Sequence, residues 1–342
     1  MFTKNYEPMN ENLWQGRIDS YDNYDAFRWH QWVEPLDLKR DDLKPLDGFG
    51  FAFLGFCCDE GVKNNKGRSG AMNGPIGIRH ELAKMPCTFN KSVQLFDAGD
   101  IVVDNISLDE GQNLLSQGIK KLLSLNIFPI VLGGGHETAL GNYNGALSHL
   151  ESISNKPKIG IINFDAHFDL RPYNNEGSSG TMFRQISDIC DNKNIDFSYF
   201  CVGIQKHSNT VDLFKTADKL GVKYVLAKDI INSDGWQLLR ELNNFMRDKD
   251  YIYVTICADV FSAAYAPGVS ATQTLGLNPE IVINLLKHIL KSNRVVTFDI
   301  CEVAPRFDKD NITSNLAGVI IFSLVNTLCK LQNLQHTPNT EP

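Results

Sequence analysis

The sequence has no cluster of basic residues, no CxxC pair, no Ser/Gly/Pro-rich linker, no internal repeat and no long unbroken apolar run. Each lack removes a class of protein. Lys and Arg number 33 against 40 Asp and Glu and are scattered along the chain, giving a net charge of -7. That excludes the basic stripe of a nucleic-acid binder and leaves a small molecule as the expected partner. The eight cysteines (57, 58, 87, 190, 201, 257, 301, 329) lack the spacing of a small disulfide scaffold. They read as reduced thiols, mostly in the core, with Cys257 the exception. The longest apolar run near the C-terminus, Leu316 to Val325, is interrupted by Ser323 and falls short of the ~18 residues of a membrane span, so no membrane partner is expected. The start, MFTKNYEPMNENLW, has neither a basic n-region nor an apolar h-region, and a cytoplasmic location is expected. Without a linker, 342 residues read as one large α/β domain, although length alone suggests about two.

What is present is an ordinary globular composition, 43% hydrophobic and 21% charged, with clear alternation of element types from about residue 50. FGFAFLGF (49–56), IFPIVLGGG (127–135), KIGIINFDA (158–166), FSYFCVGI (197–204), VKYVLA (222–227), YIYVTICAD (251–259) and RVVTFDICE (294–302) are short, β-rich and apolar on both faces. Buried parallel strands have that pattern. Between them lie helices with legible starts. Ser107 and Glu110 form a capping box ahead of the rows Leu114, Gly118, Leu122 and Leu115, Ile119, Leu123. Asn278 and Pro279 are an N-cap and N1 pair ahead of Ile281, Leu285, Leu286 and Ile289. The expected fold class is therefore α/β, a single three-layer domain with a mostly parallel central sheet and helices on both faces. Residues 1–48, rich in Trp, read as an extension packed on the body; 49–330 form the domain and 331–342 a frayed tail.

The densest chemical signal is Asp165-Ala166-His167-Phe168-Asp169, where an apolar run ends. In extended backbone, alternate side chains share a side, so two carboxylates and an imidazole converge. Such a group repels or titrates unless a cation sits between its members; the plainer alternative is a polar strand end. His136 follows Gly133-Gly134-Gly135, Asp259 ends another run and Glu302 a fourth. A lone histidine is usually a satisfied core or surface group, but four strand ends bearing ligand-type residues at the edge where open α/β sheets bind ligands point to a metal site. Oxygen-rich donors with one or two imidazoles suit Mn²⁺ better than a structural Zn²⁺. Two such ions would support hydrolysis.

These blocks, GGGHE (133–137), DAHFD (165–169), CADVFSAAYAPGVSA (257–271) and FDICEVAPRFD (298–308), resemble the signature segments of the arginase/agmatinase (ureohydrolase) superfamily over roughly residues 10–330. LWQGRIDS, CDEGVKNNKGRSGAMNGP (58–75), HFDLRP (167–172) and SSGTMF (178–183) are most similar to its formimidoylglutamase branch. The resemblance implies an arginase-like fold and two Mn²⁺. His136, Asp165, Asp169 and position 257 would hold one ion, and Asp165, His167, Asp259 and position 257 the other. It implies hydrolysis of N-formimidoyl-L-glutamate to L-glutamate and formamide, a step of histidine degradation, by a metal-activated hydroxide oriented by Asp169, with Glu302 beside the amidinium. Arg171 and Arg68 would bind the carboxylates, and Ser178, Ser179 and Thr181 would line the substrate loop. Homo-oligomers are common among arginase relatives.

The chain departs from this pattern at one position, where the bridging acid is Cys257. A carboxylate spans two hard cations through two oxygens; a sulfur offers one softer donor and must first lose a proton. Three outcomes are open: a thiolate-bridged pair, one retained ion, or an empty or foreign-metal site on a catalytically impaired relative. Cys257 also reads as a plain core thiol. Another ureohydrolase acting on a guanidino acid, agmatine or arginine is the alternative activity.

Overall fold

All seven apolar runs become strands of one sheet in the computed structural model, which describes residues 5–174, 176–232 and 235–336. In chain order the strands are β1 (Tyr6–Glu7), β2 (Val33–Pro35), β3 (Phe49–Cys57), β4 (Val93–Val102), β5 (Phe128–Leu132), β6 (Ile159–Phe164), β7 (Tyr199–Ile204), β8 (Lys223–Leu226), β9 (Tyr251–Cys257) and β10 (Val295–Cys301). The sheet runs β1-β4-β3-β5-β10-β9-β6-β7-β8, with β2 also on β4. Every pairing is parallel except that of β1 with β4.

The helices are α1 (Glu60–Asn64), α2 (Gly74–Leu82), α3 (Leu108–Ser124), α4 (Thr138–Ile153), α5 (Met182–Lys193), α6 (Val211–Lys219), α7 (Ala227–Ile231), α8 (Trp236–Met246), α9 (Pro279–Leu290) and α10 (Ile312–Leu331). Both expected helix starts are built as the sequence implies. Ser107 Oγ accepts from Glu110 N while Glu110 Oε2 accepts from Ser107 N, and Asn278 Oδ1 accepts from Glu280 N at 2.8 Å.

Alternation along the strands creates the three layers. Phe51 and Phe53 of β3 pack with Ile78, Leu286 and Ile320 from α2, α9 and α10, whereas Ala52, Leu54 and Phe56 pack with Leu115 and Ile119 of α3. Ile252 and Val254 of β9 likewise join the first cluster, and Tyr253 joins one containing Leu140 of α4 and Ile186 of α5. Successive side chains of a strand point to opposite faces, and here both faces are covered by helices.

The structure adds three elements at one end. Residues 5–48 contribute β1 and β2 to the sheet itself, and Trp29 is fully buried with its ring stacked on Phe53 at 5.8 Å. Strand β4 carries Asp97, Gly99 and Asp100 and so lacks the apolar run of its neighbours. Its acids are neutralised from α2: Arg79 grips Asp97 with Nε and Nη2 at 2.8 and 2.9 Å and Asp100 with Nη1 at 2.7 Å. At the other terminus, α10 is longer than the run Leu316 to Val325 suggested. By length and composition it is the one helix among the described residues able to cross a membrane, but its Ile320, Ile321, Leu324 and Val325 lie in the core. Of the expected tail, Leu334 and His336 are held by backbone bonds to Asn90 and Thr88, while 337–342 lie outside the described residues.

Candidate metal centre and substrate cleft

The site lies beyond the carboxyl ends of four adjacent strands, β5, β10, β9 and β6. Parallel pairing in register brings those ends level: Leu132 stands opposite Ile300, Cys301 opposite Cys257, and Ile256 opposite Phe164. At its end or within four residues beyond it, each strand delivers a functional side chain. His136 follows β5 after a turn in which Gly135 N donates to Cys58 O. Gly134 is required there, because a Cβ would run into the Cys58 and Phe56 carbonyl oxygens. Asp165 follows β6, Cys257 ends β9 with Asp259 two residues on, and Glu302 follows β10. Asp169 and Glu302 adopt positive φ of 51° and 67°, a costly conformation for such residues and one common at functional sites.

The expected ligands converge. His136 Nδ1 lies 2.9 Å from Asp165 Oδ2 and 3.2 Å from Asp169 Oδ2, yet is aligned for a hydrogen bond with neither. His167 Nδ1 is 3.1 Å from Asp259 Oδ2 and 3.5 Å from Asp165 Oδ1. Asp259 Oδ1 is also buried without a partner. One donor atom from each of His136, Asp165 and Cys257 lies within 4.8 Å of the others, and the same holds for Asp165, His167 and Asp259. Buried polar atoms are normally paired, so orphaned donors facing one another at this spacing fit a bound cation. The oxygen and imidazole set of Asp165, His167 and Asp259 fits a hard divalent ion; the set containing Cys257 brings in sulfur.

Burial disfavours every charge in the cluster, and the neighbours decide which ones persist. For His136 burial works against the cation, but the Asp165 and Asp169 carboxylates lift its pKa well above the usual imidazole range. His167 is likewise raised by Asp259 and Asp165 against its burial. The two imidazoles hold the Asp165 carboxyl below the ordinary carboxylate range despite its burial. Burial, with Glu137 and Asp259 adding repulsion, pushes Glu302 well up, and burial beside Asp165, Asp259, Glu302 and Asp169 does the same to the Cys257 thiol.

His136, His167, Asp169, Cys257, Asp259 and Glu302 floor a cleft of about 330 Å³ whose wall includes Arg68, Arg171 and Ser179. Arg171 also lines a neighbouring hollow and donates through Nη1 to Asp169 Oδ1 at 2.9 Å. Arg68 is more constrained than the sequence suggested. Its Nε and Nη2 donate to the carbonyls of Ser270 and Val269 at 2.9 and 2.8 Å, and its guanidinium lies over the Phe307 ring. Of the loop hydroxyls, only Ser179 lines the cleft. Ser178 Oγ accepts from Gly180 N, and Thr181 Oγ1 accepts from Ser178 N at 2.8 Å, so both are engaged in shaping the turn.

Sequence reasoning missed the layer beneath. His136 Nε2 is 2.9 Å from Thr255 Oγ1, which donates to Asp299 Oδ1; Asp299 also accepts from Asn142 at 2.7 Å and from Tyr253. The sequence marks Asp299 only as an acid inside an apolar run, three residues before Glu302; the structure buries it fully.

A formimidoylglutamase of Clostridium tetani is 62% identical over 96% of this chain and 98% of its own length. One from Lysinibacillus sphaericus is 42% identical over 96% and 100%. Among solved structures, the formimidoylglutamase of Bacillus subtilis superposes with a TM-score of 0.76 at 24% identity, covering 91% of this chain and 94% of that one. The Trypanosoma cruzi formiminoglutamase solved with Mn²⁺ gives 0.73 at 22%, covering 83% and 94%. The sheet order, the ligand-bearing strand ends and a match to the arginase family model over residues 49–326 together establish that the chain belongs to the arginase family.

Proposed function

We propose that the chain hydrolyses N-formimidoyl-L-glutamate to L-glutamate and formamide, as the hydrolase step of histidine degradation, with bound Mn²⁺. The observation that carries this reading is the polarity of one cleft, whose floor is His136, His167, Asp169, Asp259 and Glu302 and whose wall bears Arg171 and Arg68. The substrate has the opposite polarity: a cationic amidine at one end and two carboxylates at the other. The names of the relatives at 62% and 42% identity support it.

His136, Asp165, His167, Asp169, Cys257 and Asp259 would hold the ions, which when bound would lower the pKa of water and polarise the electrophile. The rest follows from the chain. Glu302, fixed by the bond from His136 N to its Oε1 at 3.0 Å, faces the amidine and pairs with its N–H groups through charge-assisted hydrogen bonds. Arg171 holds Asp169 with one nitrogen and presents its remaining N–H groups to a carboxylate. Arg68, anchored by two carbonyls, contributes positive charge at the same end. Water adds to the formimidoyl carbon, the bond from that carbon to the glutamate nitrogen breaks, and the leaving amine takes up a proton. Asp169, steadied through Oδ1, is the group placed to carry it. The same reading puts the reaction in the cytoplasm, on a free small molecule.

Product analysis by NMR with Mn²⁺ added tests this on the native chain and on Cys257→Asp. Formamide and glutamate are expected, faster from Cys257→Asp than from the native chain. Urea formed from arginine or agmatine at a higher kcat/KM would reassign the substrate, and no turnover by either protein would identify a catalytically silent relative.

A further inference from the structure

The two halves of the ligand cluster differ in donor chemistry. Asp165, His167 and Asp259 offer only oxygen and imidazole nitrogen, whereas His136, Asp165 and Cys257 include a sulfur. Cys257 is 2% exposed at the end of β9 and lines the cleft. Other buried thiols near the sheet are engaged elsewhere: Cys301 donates to Asp299 Oδ1 and Cys201 to the His167 carbonyl. The second, independent observation is His136 Nδ1, buried beside Cys257 and without a partner although two carboxylates stand within 3.2 Å. A third grouping, His136 with Asp299 and Cys301, is not comparable, because Asp299 already accepts from Tyr253, Thr255 and Asn142.

We propose that the site is asymmetric in metal preference, the His136–Asp165–Cys257 half taking a thiophilic divalent ion of the Zn²⁺ type and the Asp165–His167–Asp259 half a hard ion such as Mn²⁺. This deepens the metal-dependent reading above and rests on it. A single sulfur cannot bridge two hard cations as two carboxylate oxygens do, but it is a strong ligand for a borderline ion, which displaces the thiol proton on binding. Zinc outcompetes manganese at most nitrogen and oxygen sites as well. The informative quantity is therefore the change in preference when the sulfur is removed.

The test uses the full chain stripped with a chelator and dialysed against equimolar Zn²⁺ and Mn²⁺, followed by elemental analysis. The Zn:Mn ratio should be roughly tenfold or more greater in the native chain than in Cys257→Asp. Loading with Co²⁺ gives a second readout: a near-ultraviolet thiolate-to-cobalt band in the native chain, absent from Cys257→Asp and from the near-isosteric Cys257→Ser. Equal metal ratios in native chain and Cys257→Asp, or no such band at saturating Co²⁺, would overturn the inference. A native chain that shows the band but releases no formamide with any metal keeps the inference and sinks the proposed reaction. Formamide release with metal ratios indifferent to position 257 does the reverse.

Discussion

Arg171 occupies the most informative single position outside the ligand set, because it faces two ways. One nitrogen holds Asp169 at 2.9 Å, and the side chain, 31% exposed, stands between the cleft and the adjoining hollow. Arg171→Met is expected to raise KM for formimidoylglutamate steeply while leaving bound metal unchanged. Losing a guanidinium–carboxylate pair commonly costs ~2–5 kcal/mol, part of it the penalty on the carboxylate left behind. Steady-state kinetics with elemental analysis of the same samples measures both; unchanged KM and kcat would assign Arg171 to the surface. The candidate ligands are readable from sequence because they cluster at or just beyond the ends of apolar runs. Thr255 and Asp299 are not, since they lie inside such runs and their role depends on which strands become neighbours. The anchoring of Arg68 is not legible for a related reason: the carbonyls that hold it belong to residues 269 and 270, about two hundred positions away.

Among the elements, α4 begins at the metal edge, and the residue just before it, Glu137, is a buried acid that serves the scaffold. Glu137 Oε1 accepts from Gly61 N of α1 at 3.2 Å, while its Oε2 is buried without a partner. Burial pushes this carboxyl up from an ordinary 4.5 to about 7. The folded chain therefore binds the proton more tightly than the unfolded one, so the contribution to stability is full below about pH 4.5 and is lost as pH rises through 7. At about 1.4 kcal/mol per pH unit, the span amounts to roughly 3 kcal/mol. In metal-free protein, Glu137→Gln should remove that slope, and its stability relative to the native chain should increase between about pH 4.5 and 7. Urea titrations of both proteins across this range would show it, and parallel curves would mean that Glu137 ionises freely. The helices and strands were legible wherever periodicity or caps were local. Strand β4 escaped because Asp97 and Asp100 interrupt its apolar pattern, and the cation that permits them, Arg79, lies on another element.

For the molecule as a whole, that same arginine joins the N-terminal segment to the sheet. Arg79 is 1% exposed, grips Asp97, Asp100 and the Gly99 carbonyl, and Trp14 donates to the same Asp97 at 2.5 Å. Arg79→Met would strand buried carboxylates and should cost about 3–5 kcal/mol. Thermal denaturation of the variant is expected to show a markedly lower midpoint; a midpoint within a degree or two of the native value would show that the acids are neutralised in another way. The position of β10 carries a consequence for the order in which the chain is made. One side of the sheet, ending at β5 with His136, and the other, beginning at β6 with Asp165, have no direct edge in common. Strand β9 extends the second side, and only β10, residues 295–301, closes the gap between them. The set Asp165, His167 and Asp259 lies just beyond β6 and β9, which pair without β10, whereas the set His136, Asp165 and Cys257 spans the gap, so most of the polypeptide must leave the ribosome before the His136-bearing half is assembled. Filling of that second half then reports that β10 has taken its place in the sheet.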